Sequence, residues 1–165
     1  MSNAPVSEVK LRRQIRNLIL FVMFAIFMSG ITAFPLESEL RFLEQHLSWF
    51  PEFLHEWIHL LSAGIQQVNE HFSFISYGTD WLAFAHVMIA LVFIGPLRDP
   101  VKNKWVIDWG ILCCFAVLPL ALIAGPIRNI PFFHRLIDCS FGIIGFFPLW
   151  IIRKKIQQLE SMILH

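Results

Sequence analysis

Long apolar stretches alternate along this chain with short polar and charged ones. The first stretch, residues 17–34, opens Asn17-Leu18-Ile19-Leu20-Phe21-Val22-Met23 and stops at Pro35. At about 1.5 Å per helical residue, it just covers a hydrocarbon core of about 30 Å. A second spans residues 81–95, with further apolar residues leading into it from Phe74, and closes at Gly95-Pro96 and Asp99-Pro100. The third covers residues 105–124 and ends at Gly125-Pro126. Pro119 inside it predicts a kink or a locally opened hydrogen-bond ladder. The fourth covers residues 136–152 and contains Gly142, Gly145 and Pro148. Gly142 and Gly145 are small enough for close helix contact, although their spacing is not that of GxxxG.

Residues 36–78 follow a different pattern. Between Pro51 and Gln66, the polar residues Glu52, His55, Glu56, His59, Ser62 and Gln66 recur at helical spacing. Phe50, Phe53, Leu54, Trp57, Ile58 and Leu61 fall on the other side. This predicts an amphipathic helix lying in the membrane interface. Residues 36–47 suggest a second such helix with less regular patterning. A fifth crossing through residues 47–66 would bury Glu52 and Glu56, so four crossings fit better, with a re-entrant course as the exception. The expected fold is an all-α integral membrane protein: four transmembrane helices plus an outer interfacial amphipathic helix, forming a single membrane domain over residues 1–165.

Composition supports a membrane class. Hydrophobic residues make up 56% of the chain and charged ones 15%, against about 25% charged in a soluble domain. Mean hydropathy is +0.62. Seventeen Phe and six Trp suit lipid-facing surfaces and interface anchors. A net charge of +1 gives no reason to expect nucleic acid. The basic residues instead gather beside the apolar stretches, as Lys10/Arg12/Arg13/Arg16, Arg98/Lys102/Lys104 and Arg153/Lys154/Lys155. Four crossings put all three groups on one side, which the positive-inside rule makes cytoplasmic. Both termini are then expected in the cytoplasm of a cell with the chain in its inner (cytoplasmic) membrane. The first apolar stretch is long for a cleaved signal sequence and is expected to be retained. Residues 36–80 carry Glu37, Glu39, Glu44, Glu52, Glu56, Glu70 and Asp80 against Arg41 alone, as suits the outer side. Cys113, Cys114 and Cys139 fall within apolar stretches and read as inert buried thiols rather than a disulfide framework.

The chemistry centres on His55-Glu56-Trp57-Ile58-His59. Two His four residues apart leave one helical face and can approach a single ion, with the intervening Glu placed to take a proton from water. This five-residue run resembles the H-E-x-x-H signature of zinc hydrolases. The resemblance implies Zn2+ at His55 and His59, with Glu56 as catalytic base. A further ligand is needed, and His86, Asp138 and His134 are candidates, with Asp80 and His71 on the same expected side. Asp138 could instead orient a ligand imidazole, or pair with Arg135, Arg128 or His134. Six of the seven His map to the outer half, leaving His165 at the cytoplasmic tail. Arg128 and Arg135, in the loop between the third and fourth spans, could hold an anionic group or polarise a scissile one, or else pair with the acidic outer segment. Asp108 is expected to pair with Lys104. The chain holds no glycine-rich phosphate loop, C-x-x-C pair or G-x-S-x-G elbow.

These residues suggest a membrane-embedded metal-dependent hydrolase acting at the outer interface on a lipid or membrane-associated peptide that arrives along the membrane plane. Two other classes fit. His86 and His134 on neighbouring helices could ligate haem or a redox metal. A scaffold or complex subunit would use the outer helix to bind a partner, with its His and Glu facing water. A channel fits poorly, because no ladder of ionisable residues runs through the spans. Oligomeric state does not follow from the pattern.

Overall fold

The computed structural model of the chain describes residues 6–46, 49 and 51–164. Among these the regular elements are helical: α1 (Val6–Ala33), α2 (Leu36–His46), α3 (Glu52–Val92), α4 (Ile94–Arg98), α5 (Lys104–Pro119), a π-helical turn (Leu120–Ala124), α6 (Gly125–Ile127) and α7 (Phe132–Leu164). Four stretches are long and apolar enough to cross a bilayer: Ser7–Ala33, Glu52–Arg98, Lys104–Ile127 and Phe132–Ile163. Helix α2 is shorter and amphipathic, with Leu40 buried. The chain is therefore an all-α, multi-pass integral membrane protein with four spanning helices and one short interfacial helix. Phe21, Phe24, Phe84, Leu112, Phe141 and Ile144 point outward from the spans, as side chains facing lipid do. Leu47, Phe50 and His165, which belonged to the expected surface helices and the tail, lie outside the described residues.

The chain forms two compact units, Met1–Phe24 with Leu91–His165, and Ala25–Ala90. In the first, α5 packs along α7, and glycine is what allows it. A Cβ added at Gly142 would lie 2.5 Å from the Cys114 carbonyl oxygen, and one at Gly145 would lie 3.3 Å from Cys114 Sγ. Ile15, Ile19, Phe93, Ile107 and Ile152 fill the core of this unit. Two ion pairs also join α5 to α7: Arg153 Nε to Asp108 Oδ1 at 2.5 Å, and Lys104 Nζ to Glu160 Oε2 at 2.8 Å. The expected Lys104–Asp108 pair is thus corrected. Lys preceding its acid by four residues is the weaker order within a helix, and α7 offers each residue an interhelical partner. Pro119, lacking an N–H, is followed directly by the π-helical turn, the opened ladder that proline predicts. Helix α7 continues well past the expected end of its span at residue 152, because Ile152, Ile156 and Leu159 extend a buried seam.

In the second unit, α1 and α3 come into near-contact at Gly30, where a Cβ would lie 2.8 Å from the Ala83 carbonyl oxygen. The turn at Phe34–Pro35 leads into α2, whose first helical bond runs from the Glu39 N–H to the Pro35 carbonyl at 2.9 Å. Leu40 of α2 is buried, as are Ile58 and Ser62 on α3. Ser62 was expected in the polar stripe, but its place one turn beyond Ile58 puts it in the buried seam instead. Helix α3 joins the expected surface helix and second span into one 41-residue element, interrupted at Phe72 (φ −142°, ψ 47°). The Ser76 hydroxyl donates to Asn69 Oδ1 across that interruption. Seven residues of straight helix rise about 10.5 Å, so the bend closes on the Asn69/Ser76 face.

Candidate functional site

His55, Glu56 and His59 lie in the first half of α3, on uninterrupted helix, and all three are exposed. The helix repeat sets His55 and His59 one turn apart at the margin of the seam containing Ile58 and Ser62. Glu56 is turned by about 100° from His55 toward the open side. Across the seam, Glu44 of α2 faces this edge, with its Oε1 3.7 Å from His59 Nε2. Glu44 is an additional acidic neighbour that the sequence pattern did not single out. Its signal lay in the repeat of α2, where a residue one turn beyond the inward-facing Leu40 must sit beside the packing seam.

The other proposed ligands occupy different surroundings. His86 is on the second half of α3, where its Nδ1–H donates to the Leu82 carbonyl at 2.9 Å. That bond leaves Nε2 as the acceptor nitrogen. Its Cβ lies 3.0 Å from the position a Cβ would take on Gly30. His71 similarly bonds the Gln67 carbonyl through Nδ1 at 3.1 Å. His134 and Asp138 belong to the other unit, near the start of α7, with Nε2 3.8 Å from Oδ1. They form an i,i+4 pair, one of the partnerships anticipated for Asp138. Among the described residues, no group of three or more His, Cys, Asp or Glu side chains is arranged to hold a metal ion.

Arg128 and Arg135 also belong to the unit containing α7. Arg128 is exposed in the turn after α6, where its N–H bonds the Ala124 carbonyl at 3.0 Å and Asn129 adopts a left-handed φ of 58°. Arg135 lies over Gly125: a Cβ there would come within 2.8 Å of Arg135 Cγ. Its guanidinium carbon stands 5.3 Å from the centre of the Phe132 ring. The buried Nε of Arg135 has no hydrogen-bond partner among the described residues.

One polar feature escaped the sequence pattern. A cavity of about 270 Å³ opens at the bend of α3, lined by residues including Glu37, Asn69, Ser76, Thr79 and Asp80. Asn69 Nδ2 donates to Glu37 Oε2 at 2.5 Å, and the second carboxylate oxygen of Glu37 accepts from Arg41 at 2.5 Å. The bend of α3 and α2 are thereby tied by one chain of hydrogen bonds. Comparison with protein-family models, curated proteins and solved structures finds no match for this chain.

Proposed function

We propose that this membrane protein is a metal-dependent hydrolase working at the membrane surface through the edge where α2 meets the first half of α3. The observation that carries the reading is Glu44 facing His59 from the neighbouring helix, beside a His55/His59 pair at the one-turn spacing that lets two imidazoles approach one ion. His55 and His59 would hold Zn2+ through imidazole nitrogens, and Glu44 would supply a carboxylate ligand after a modest side-chain rotation. Zinc in such a setting supplies Lewis acidity and lowers the pKa of water to near 7. Glu56, open to solvent next to the pair, accepts the proton from the attacking water. Phe53 and Leu60 are exposed on the same helix, which suits a substrate presented by the bilayer, a lipid or a membrane-associated peptide. The basic clusters would lie on the cytoplasmic side of an inner membrane and this edge on the opposite side.

Elemental mass spectrometry on detergent-purified protein tests the reading. Near-stoichiometric zinc that is lost in His55→Ala and His59→Ala, and reduced in Glu44→Ala, is expected. Glu56→Gln should keep the metal while losing hydrolysis of membrane lipids or peptides. A protein that takes up no metal after zinc reloading sinks the proposal and favours a scaffold or complex subunit. Iron together with visible colour would favour a haem or redox-metal protein.

A further inference from the structure

The basic end of the first unit holds a site of different chemistry. Arg12, Arg13 and Arg16 of α1 and Arg98 at the end of α4 line a cavity of about 300 Å³ whose remaining walls are Ile15, Pro96, Leu97 and Pro100. Ile15 is 1% exposed, and Pro96 and Pro100 are also buried. The cavity therefore has guanidinium groups at its rim and an apolar floor. Three basic residues nearby have acidic partners: Arg12 with Glu8 at 2.8 Å, Lys102 with Asp99 at 3.9 Å and Lys104 with Glu160 at 2.8 Å. Arg13, Arg16 and Arg98 have no ion-pair partner among the described residues. Three exposed guanidinium groups of one sign around a single cavity set up a positive potential that draws an anion to it.

The level of the cavity indicates which anion. Arg16 immediately precedes the first apolar stretch, and Arg98 is the last residue of the membrane-crossing stretch Glu52–Arg98. Two span ends that line one cavity place it where phospholipid headgroups lie. Arginine binds phosphate through paired N–H donors, and basic pockets between membrane helices suit anionic headgroups. The apolar floor suits the glycerol and first acyl carbons beyond the phosphate. We infer that the Arg13/Arg16/Arg98 cavity binds the phosphate of an anionic phospholipid. This site is independent of the proposed hydrolase edge, which belongs to the other unit.

The test uses the full chain, purified in detergent and stripped of lipid, then titrated with phosphatidylglycerol or phosphatidylcholine and read by native mass spectrometry. Phosphatidylglycerol should be retained preferentially. The Arg13→Gln/Arg16→Gln/Arg98→Gln variant should weaken its binding by roughly tenfold or more. A Lys10→Gln/Lys102→Gln/Lys154→Gln control removes equal charge outside the cavity and should bind as the parent does. If the triple variant does not fold, Arg98→Gln alone should still shift binding in the same direction. Equal retention of the two lipids, equal loss in variant and control, or no effect of Arg98→Gln overturns the inference. So does displacement of the lipid by inorganic phosphate together with Arg-dependent thermal stabilisation by that ion, which would assign the cavity to a soluble phosphate.

Discussion

At the scale of single residues, glycine has opposite meanings at different places in this chain. A Cβ at Gly142 would press on the Cys114 backbone, and one at Gly30 on the backbone of Ala83, whereas a Cβ at Gly64 meets nothing within 4 Å. Backbone cannot move aside as a flexible side chain can, so overpacking at Gly142 costs about 1–3 kcal/mol. At Gly64 the substitution removes conformational freedom from the unfolded chain and adds helix propensity, worth about 0.5–1 kcal/mol. Thermal unfolding in detergent should therefore show Gly142→Ala and Gly30→Ala melting below the parent and Gly64→Ala at or above it. Equal melting of Gly142→Ala and the parent would show that α5 and α7 do not approach so closely. Gly125 belongs with the first group for another reason, since it makes room for the arginine of α7 and not for a backbone.

At the scale of elements, two interhelical ion pairs join α5 to α7. A double-mutant cycle between Asp108→Asn and Arg153→Gln should give a measurable coupling, of the order of 0.6–1.7 kcal/mol for polar contacts between membrane helices. The same cycle between Lys104→Gln and Asp108→Asn should give close to none. A larger coupling for the second cycle would restore the local pair that the sequence suggested. That reversal also shows what the chain's pattern could and could not disclose. Apolar run length and flanking prolines announced all four spanning helices, and Pro119 announced the opened turn after it, because these depend on local composition. The partners of Lys104, Asp108 and His59 depend on which helix lies alongside, which no local pattern records. The single bend at Phe72 was equally hidden: residues 67–80 carry neither Pro nor the Gly-Pro signals that closed other helices, and the Asn69–Ser76 bond acts across seven residues. Of the candidate site, the His55/Glu56/His59 spacing was legible and the neighbour contributed by α2 was not.

For the molecule as a whole, three basic clusters separated in sequence converge. Lys155 of α7 bonds Gln14 of α1 at 2.7 Å, and the arginines of α1 share a cavity with Arg98. Four spans put both termini on one side, and the orientation proposed above from the positive-inside rule would make that side cytoplasmic. Single cysteines introduced at Glu39 or Gln66 in a cysteine-free background should react with a membrane-impermeant reagent applied to intact cells. Cysteines at Lys102 or Gln158 should react only after lysis. The reverse labelling pattern would invert the orientation and put the His55/His59 edge in the cytoplasm, where its substrates would have to be sought in the other leaflet.

The π-helical turn after Pro119 has a consequence for how the chain tolerates change in length. Such a turn carries one more residue than the α-helical turn it replaces, so it holds a residue in reserve. Deleting Leu122, an exposed side chain within the turn, would let it close as ordinary α-helix while Gly125 and everything after it keep their facing. Deleting the equally lipid-facing Leu112, in regular helix, would rotate all that follows by about 100° and carry the inward side chains out to the lipid. Among single-residue losses in the third span, those within Leu120–Ala124 should be the ones a population of variants retains.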